Sequence, residues 1–204
     1  MRIFAAIMPP MEVVEDLDEF LAPRREHPDS GLRWAMPEQF HITLAFAGEA
    51  DAFDVERAQE AISAVASRRP PLDLALAGAG AFPGPGHARA IWLGLMVNGE
   101  AASPPADAHT PLHSLAAAVR TAARGVGIQV EGGPFRPHLT VARLGRPADA
   151  TKWLRILETY RSDLWHADEI VLFASHLGQG RRGRPRHEEL AVFPLRGGQQ
   201  EHDQ

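Results

Sequence analysis

The 204-residue chain contains no cysteine, a single tyrosine and a single lysine. The missing cysteine excludes disulfides, thiolate nucleophiles and cysteine-based zinc sites, and it fits a reducing compartment. Long hydrophobic runs are missing too: no stretch reaches the roughly 18 apolar residues of a membrane span. The apolar opening Ile3-Phe4-Ala5-Ala6-Ile7-Met8 stops at Pro9-Pro10 and is followed by Glu12 and Glu15. That is shorter than the roughly 7–15 apolar residues of a secretory signal core, so a buried first strand and a soluble, cytoplasmic protein are expected. Lysine is nearly absent, with Lys152 standing against 20 arginines. Codon bias in a GC-rich genome produces such a skew, so each arginine needs a positional argument before it counts as functional. The net charge of −5 argues against a general nucleic-acid coat protein.

What remains is globular in composition, with 45% apolar and 23% charged residues. Strands are expected at 2–8, 32–34, 40–48, 72–76, 90–97, 137–143, 170–175 and 189–195, and helices at 11–25, 54–68, 111–124 and 148–160. The inner helix faces read Val14, Leu17 and Leu21; Val55, Ala58, Ile62 and Val65; and Leu112, Leu115 and Val119. Residues 27–31 read as a turn and 98–110 as a surface insertion. The loops between strands 72–76 and 90–97, and between 170–175 and 189–195, are too short for crossover helices, so both pairs are antiparallel. The expected class is α+β: two pseudo-symmetric lobes of mixed or antiparallel sheet with outer helices, dividing near residue 85 around a central cleft. One domain over 1–196 and a disordered tail over 197–204 complete the organisation.

The chemistry is carried by a repeat. His41-Ile42-Thr43-Leu44-Ala45 and His138-Leu139-Thr140-Val141-Ala142 share the pattern His, apolar, Thr, apolar, Ala. With ten histidines, six threonines and 45% apolar residues, about 0.06 chance matches to the first four positions are expected, so two arise by accident on the order of once in several hundred such chains. On a strand, residues i and i+2 share a face. His41 and Thr43 therefore face one side while Ile42, Leu44 and Phe46 pack behind, and His138 and Thr140 stand against Leu139 and Val141 in the same way. Each half thus offers an imidazole and a hydroxyl to the cleft.

Opening a cyclic phosphodiester requires a base for the attacking water, an acid for the departing ribose oxygen, and donors for the charged oxygens. Two histidines, with ordinary pKa near 6.5, form a matched pair at neutral pH, and Thr43 and Thr140 add hydroxyl donors. No metal or other cofactor is implied: neither motif has a neighbouring Asp, Glu or His at ligand spacing. The residues alone leave open which histidine is the acid.

The paired motifs resemble those of the two-histidine phosphoesterases, and specifically the RNA 2′,3′-cyclic phosphodiesterases, also called 2′-5′ RNA ligases. The resemblance extends to Arg2-Ile3-Phe4-Ala5-Ala6-Ile7, Trp34 and Pro37, Leu44-Ala45-Phe46-Ala47-Gly48, Ala90-Ile91-Trp92-Leu93-Gly94, residues 135–143 and Leu172-Phe173-Ala174-Ser175. It implies that His41 is the proton donor, that His138 is the proton acceptor, and that the product is a 2′-phosphate, with reversible 2′-5′ ligation as a further family activity. The chain departs from the family pattern at His187, where an aromatic residue is expected after the late arginine loop.

Further substrate-binding candidates are Arg143, Phe135 and Arg184. Ideal alternation points Arg143 away from the cleft, whereas a strand end or bulge turns it inward, and the resemblance favours a phosphate contact. Phe135 and Trp34, at the motif entrances, are candidates for stacking a base. Phe46, Trp92 and Trp153 read as core. The loop 176–186 holds four arginines and three glycines without an acid, which suits either a phosphate clamp or a solvated hairpin. Expected partners are RNA ends or small cyclic nucleotides, an ADP-ribose cyclic phosphate included, with the protein acting as a monomer and without membrane contact.

Overall fold

The computed structural model describes residues 1–26, 31–102, 109–180 and 183–197. In chain order the elements are β1 (Ile3–Ile7), α1 (Met11–Arg25), β2 (Leu32–Trp34), β3 (Ile42–Ala47), α2 (Ala52–Ala66), β4 (Leu72–Phe82), β5 (Ala88–Val97), β6 (Glu100–Ala101), α3 (Pro111–Gly125), β7 (Leu139–Ala148), α4 (Thr151–Leu157), β8 (Trp165–Ala167), β9 (Glu169–His176) and β10 (Arg186–Pro194). Short 3-10 turns occupy Pro37–Gln39 and Pro85–His87. No helix among the described residues is long and apolar enough to cross a membrane.

The strands form one sheet in the order β10-β9-β1-β3-β7-β5-β4-β8, with β2 against β7 and β6 against β5. Every pairing of named strands is antiparallel. Both hairpins expected from short loops are present, β4 on β5 and β9 on β10. The sheet therefore divides into two four-stranded halves that meet where β3 touches β7, an α+β architecture with helices outside. The division does not fall at residue 85. One half joins the two chain ends (β1, β3, β9, β10) and the other holds the middle (β4, β5, β7, β8). The hairpins impose this, because each keeps its own two strands adjacent while β1 is taken up between β3 and β9.

Local sequence explains most of the element boundaries. All five residues of β1 are buried, as a strand covered on both faces requires. In α2 the Asp51 carboxylate accepts a hydrogen bond from the Asp54 amide at 2.7 Å, starting the helix two residues earlier than its apolar pattern suggests. Its deepest residues are Val55, Ala58, Ile62 and Ala66, with Val65 at the margin. In α1 the deepest are Val13, Leu17 and Leu21, with Val14 half-buried. Leu112, Leu115 and Val119 of α3 are buried as expected.

The largest departures lie after the second motif. β7 continues to Ala148 because its later residues still find partners in β5, and Ala88 pairs with Ala148. That shortens α4 to Thr151–Leu157. The three-residue β8 was not anticipated; it pairs with β4 through Leu72, Asp73 and Leu74. Residues 27–30 of the expected turn, 103–108 of the expected insertion and the tail beyond 197 lie outside the described residues. Gly197 itself is tied down, its amide donating to the Arg69 carbonyl at 2.9 Å.

Candidate active site

Ile42 of β3 and Leu139 of β7 are paired across the junction of the two half-sheets, and both are fully buried. Burial of each side chain contributes roughly 1.5–3 kcal/mol, so the two backbones are anchored at this point. Antiparallel register around that pair sets His41 opposite Thr140 and Thr43 opposite His138. Directly opposed side chains on one face lie about 4.5–5.5 Å apart at Cβ, and diagonal ones, here the two histidines, roughly 7–8 Å. The duplicated motifs thus form one four-residue cluster with approximate two-fold symmetry.

Each imidazole is oriented by its own backbone. His41 Nδ1 lies 2.7 Å from the Gln39 carbonyl oxygen, and His138 Nδ1 lies 2.7 Å from that of Arg136. A carbonyl only accepts, so Nδ1 carries the proton in both rings and Nε2 is the nitrogen free to exchange protons with a ligand. The carbonyl two residues before the histidine serves in both motifs, extending the symmetry to the tautomer.

The symmetry extends to the strand irregularities as well. β1 pairs Ala5 with Ala45 but Ala6 with Thr43, leaving Leu44 as an extra residue in β3. β5 pairs Ile91 with Ala142 but Trp92 with Thr140, leaving Val141 as the extra residue in β7. Each bulge falls three residues past its histidine and reverses the alternation beyond it. Arg143 is thereby turned into the cleft, against ideal alternation. Phe46 is turned the same way, so the expectation that it packs behind the sheet is wrong: it lies opposite Phe4 in β1, whose ring is 4.8 Å from that of His41.

Because β3 and β7 run in opposite directions, the two bulges reach opposite ends of the cluster. At one end a cavity of ≈ 420 Å³ is lined by His41, Thr43, His138, Thr140 and Arg143, together with Arg33, Arg184 and His187. Among the described residues no carboxylate lines it. At the other end a cavity of ≈ 460 Å³ is lined by Thr43, His138, Phe46, Phe82, Phe135 and Arg136, among others. Of the residues singled out from sequence, His41, Thr43, His138, Thr140, Arg143 and Arg184 therefore share the first cavity, and Phe135 stands in the second. Arg184 reaches the first by donating to the Trp34 carbonyl at 3.1 Å. Arg186 of the same loop instead pairs with Glu188 at 3.4 Å. Arg181 and Arg182 lie outside the described residues. Trp34 lines the first cavity but is buried, edge-on to Trp153.

His187, noted in the sequence only as a departure from the family pattern, belongs to the cluster. Its ring is 5.4 Å from that of His41 and 4.8 Å from that of Phe4, edge-on to both. The pairing of β10 with β9, His187 against Ser175, brings it there. No local pattern could have found it. Trp92 was likewise read simply as core. It is buried, yet its ring lies 6.1 Å from His138 and 5.3 Å from Phe82.

The electrostatics favour neutral imidazoles in the cleft. Burial, then the neighbouring His187, push the His41 pKa down to about 4, with His138 and Arg143 acting in the same direction. Burial and Arg143 lower that of His138 against the opposing pull of the Arg136 carbonyl. His187 is also lowered, by burial. A bound anion reverses this field and favours protonation. Among the described residues no group of three or more His, Asp or Glu side chains is arranged to hold a metal ion.

The chain is similar to proteins already known. The family model described as the 2′-5′ RNA ligase superfamily matches residues 9–179, spanning both histidine motifs. An RNA 2′,3′-cyclic phosphodiesterase of Geobacillus stearothermophilus is 34% identical over 80% of this chain, and the match spans 48% of that protein's length. One from Archaeoglobus fulgidus is 32% identical over 72% of this chain and 74% of its own. Among solved structures, TT0787 of Thermus thermophilus superposes with a TM-score of 0.74 at 26% identity, covering 97% of this chain and 100% of that one. E. coli LigT complexed with 3′-AMP superposes with a TM-score of 0.68 at 29% identity, covering 95% and 97%; LigT has also been solved with NADP+. With the family match running over most of its length, the chain belongs to the 2′-5′ RNA ligase superfamily.

Proposed function

We propose that the chain is an RNA 2′,3′-cyclic phosphodiesterase that opens terminal cyclic phosphates to 2′-phosphates by metal-independent acid–base catalysis. Water attacks phosphorus in line with the departing O3′. His138 Nε2 takes the proton from the water as the new P–O bond forms. The P–O3′ bond breaks, and His41 Nε2 delivers its proton to O3′, leaving a free 3′-hydroxyl beside a 2′-phosphate. Thr43, Thr140 and Arg143 donate to the non-bridging oxygens, where charge builds in the transition state. Arg184 and Arg33 suit the phosphates of the RNA chain at the rim.

The observation that carries this reading is the pairing of Ile42 with Leu139, with both Nδ1 atoms committed to main-chain carbonyls. It supports two Nε2 atoms addressing a single phosphorus. The imidazoles, hydroxyls and guanidiniums that line the cleft, with no carboxylate among the described residues, suit an anion and disfavour a cation. The names of the phosphodiesterase relatives support the reaction, and the LigT complexes with 3′-AMP and NADP+ support a nucleotide-sized ligand.

The test is hydrolysis of an RNA bearing a 3′-terminal cyclic phosphate by EDTA-treated protein, with 2′-phosphate as product. His41→Ala and His138→Ala should each lose on the order of 10²–10⁴ in rate. Full activity in either variant, or loss of wild-type activity in EDTA, overturns the reading. An ADP-ribose cyclic phosphate assayed beside the RNA separates the two substrate classes.

A further inference from the structure

Thr110 and Ser162 are the buried polar residues among those described. Thr110 is accounted for, since it caps the first turn of α3. Ser162 lies between α4 and β8, at the edge of the sheet, and is 6% exposed. Its Oγ accepts from the Leu76 amide at 2.8 Å and donates to the Asp163 carbonyl at 2.8 Å. Its own amide donates to the Leu76 carbonyl at 3.0 Å. Ser162 thus satisfies both main-chain groups of one residue in the middle of β4, as a paired strand would. Next to it, Ala77 bridges to Arg161.

Leu76 is where β4 changes register. It pairs with Leu95 of β5, whereas Ala79 pairs with Leu93, so Ala77 and Gly78 stand against Gly94 alone. This is a further bulge. Gly78 adopts a φ of +79° within it, and a Cβ there would meet nothing within 4 Å. Glycine is needed at this point for its backbone and not for space. The extra residue reverses the alternation of the strand. Leu72, Leu74 and Leu76 pack into the core before it, and Ala79 and Ala81 after it. Gly80 and Phe82 are thereby turned to the cleft. Unbroken alternation would send Phe82 into the core with the leucines.

Phe82 stands edge-on to His138, ring centroids 4.9 Å apart. It reaches that ring from two strands away, since β5 lies between β4 and β7. His41 needs no such device, because Phe4, 4.8 Å from it, comes from the adjacent β1. The Arg136 guanidinium lies over the same Phe82 ring at 5.9 Å, and the Arg136 carbonyl holds His138 Nδ1 at 2.7 Å. One aromatic ring therefore meets both the imidazole and the residue that fixes its tautomer. A single hydrogen bond at Nδ1 leaves an imidazole free to swing about it. The edge-on ring limits that swing and so sets the direction of Nε2.

We infer that Ser162 and Gly78 are positioning residues for His138: together they hold the β4 bulge that turns Phe82 onto the imidazole and aims Nε2 into the cleft. The inference rests on the phosphodiesterase reading for its kinetic arm alone.

Wild type, Ser162→Ala, Gly78→Val and Gly78→Asn are assayed on adenosine 2′,3′-cyclic phosphate, and their histidine ring protons are followed by NMR. The kcat is referred to the folded fraction seen in the same samples. Displacing a catalytic group by about 1 Å costs on the order of 10²-fold, so Ser162→Ala and Gly78→Val should lose roughly 10–10²-fold in kcat with KM within twofold. Asparagine tolerates the left-handed region and valine does not, so Gly78→Asn should stay within threefold of wild type. The His138 resonances should shift in Ser162→Ala and Gly78→Val as the Phe82 ring leaves them, while those of His41 stay in place. Wild-type kcat with unmoved His138 resonances in Ser162→Ala overturns the inference. So does a Gly78→Asn protein as impaired as Gly78→Val, or a shift of the His41 and His138 resonances together, which reports a loosened fold. Where Ser162→Ala fails to fold, the comparison at Gly78 decides. A wild type that leaves the cyclic phosphate intact overturns the phosphodiesterase reading, and the ring resonances then decide the positioning alone.

Discussion

Leu44 and Val141 hold equivalent positions in β3 and β7: each is the extra residue of a bulge three places past a motif histidine. The duplication is therefore deeper than the four-residue pattern. It includes the irregularity that decides which later side chain enters the cleft, and so the two strands deliver an arginine to one end and a phenylalanine to the other.

Arg143 owes its place to the second bulge. Loss of a charge-stabilising donor costs roughly 10²–10³ in rate in comparable sites. Arg143→Ala should lower kcat/KM by that order, and Arg143→Lys should recover only part, because an ammonium lacks the planar fork of a guanidinium. Steady-state assay of both variants on a cyclic phosphate checks this. An alanine variant within threefold of wild type would remove Arg143 from the phosphate site.

The pH dependence follows from the lowered imidazoles. The charged form of His41, the proposed acid, is lost as pH rises through about 4 in the free protein. The neutral form of His138, the proposed base, is gained at a pH below 6.5. The kcat/KM profile reports the free enzyme and should peak on the acid side of pH 6.5, its limbs belonging to the coupled pair rather than to either ring. Bound phosphate favours imidazolium, so the kcat profile should lie at higher pH. Coincident profiles would contradict the electrostatic account.

His187 contributes to lowering His41, second only to burial. His187→Phe keeps a ring against Phe4 and removes the charge, so the His41 pKa should rise. Titration of the histidine ring protons by NMR reads this directly. A His41 value that stays in place would remove His187 from the causes of the depression.

Gly80 permits the position of Trp92. A Cβ at Gly80 would meet Trp92 Cζ2 at 2.1 Å, so Gly80→Ala must push the indole away from Phe82 and His138. Overpacking of this kind costs about 1–3 kcal/mol, and kcat should fall with it. Thermal unfolding and kinetics together test the point: a lowered Tm with unchanged kcat would show that Trp92 supports the fold but does not position His138.

Much of the molecule was legible in the amino-acid order. The helix faces, the two hairpins and the histidine–threonine pairs all depend on spacings of two to four residues, and a local pattern records them. Arg143 and Phe46 were not legible in the same way, because a bulge is imposed by a partner strand. β1 creates the one at Leu44 and β5 the one at Val141, and neither partner is near in sequence. His187 reaches His41 through the succession β10, β9, β1 and β3, which no spacing reveals.

The sequence by itself determined that two imidazoles and two hydroxyls exist in matched strand segments, since alternation along a strand is a property of the backbone alone. The tertiary structure decided that these segments lie side by side, Ile42 against Leu139, and that the cleft has one cationic and one aromatic end. Contacts between residues far apart in the chain are settled only when the whole sheet closes and its apolar faces are buried together.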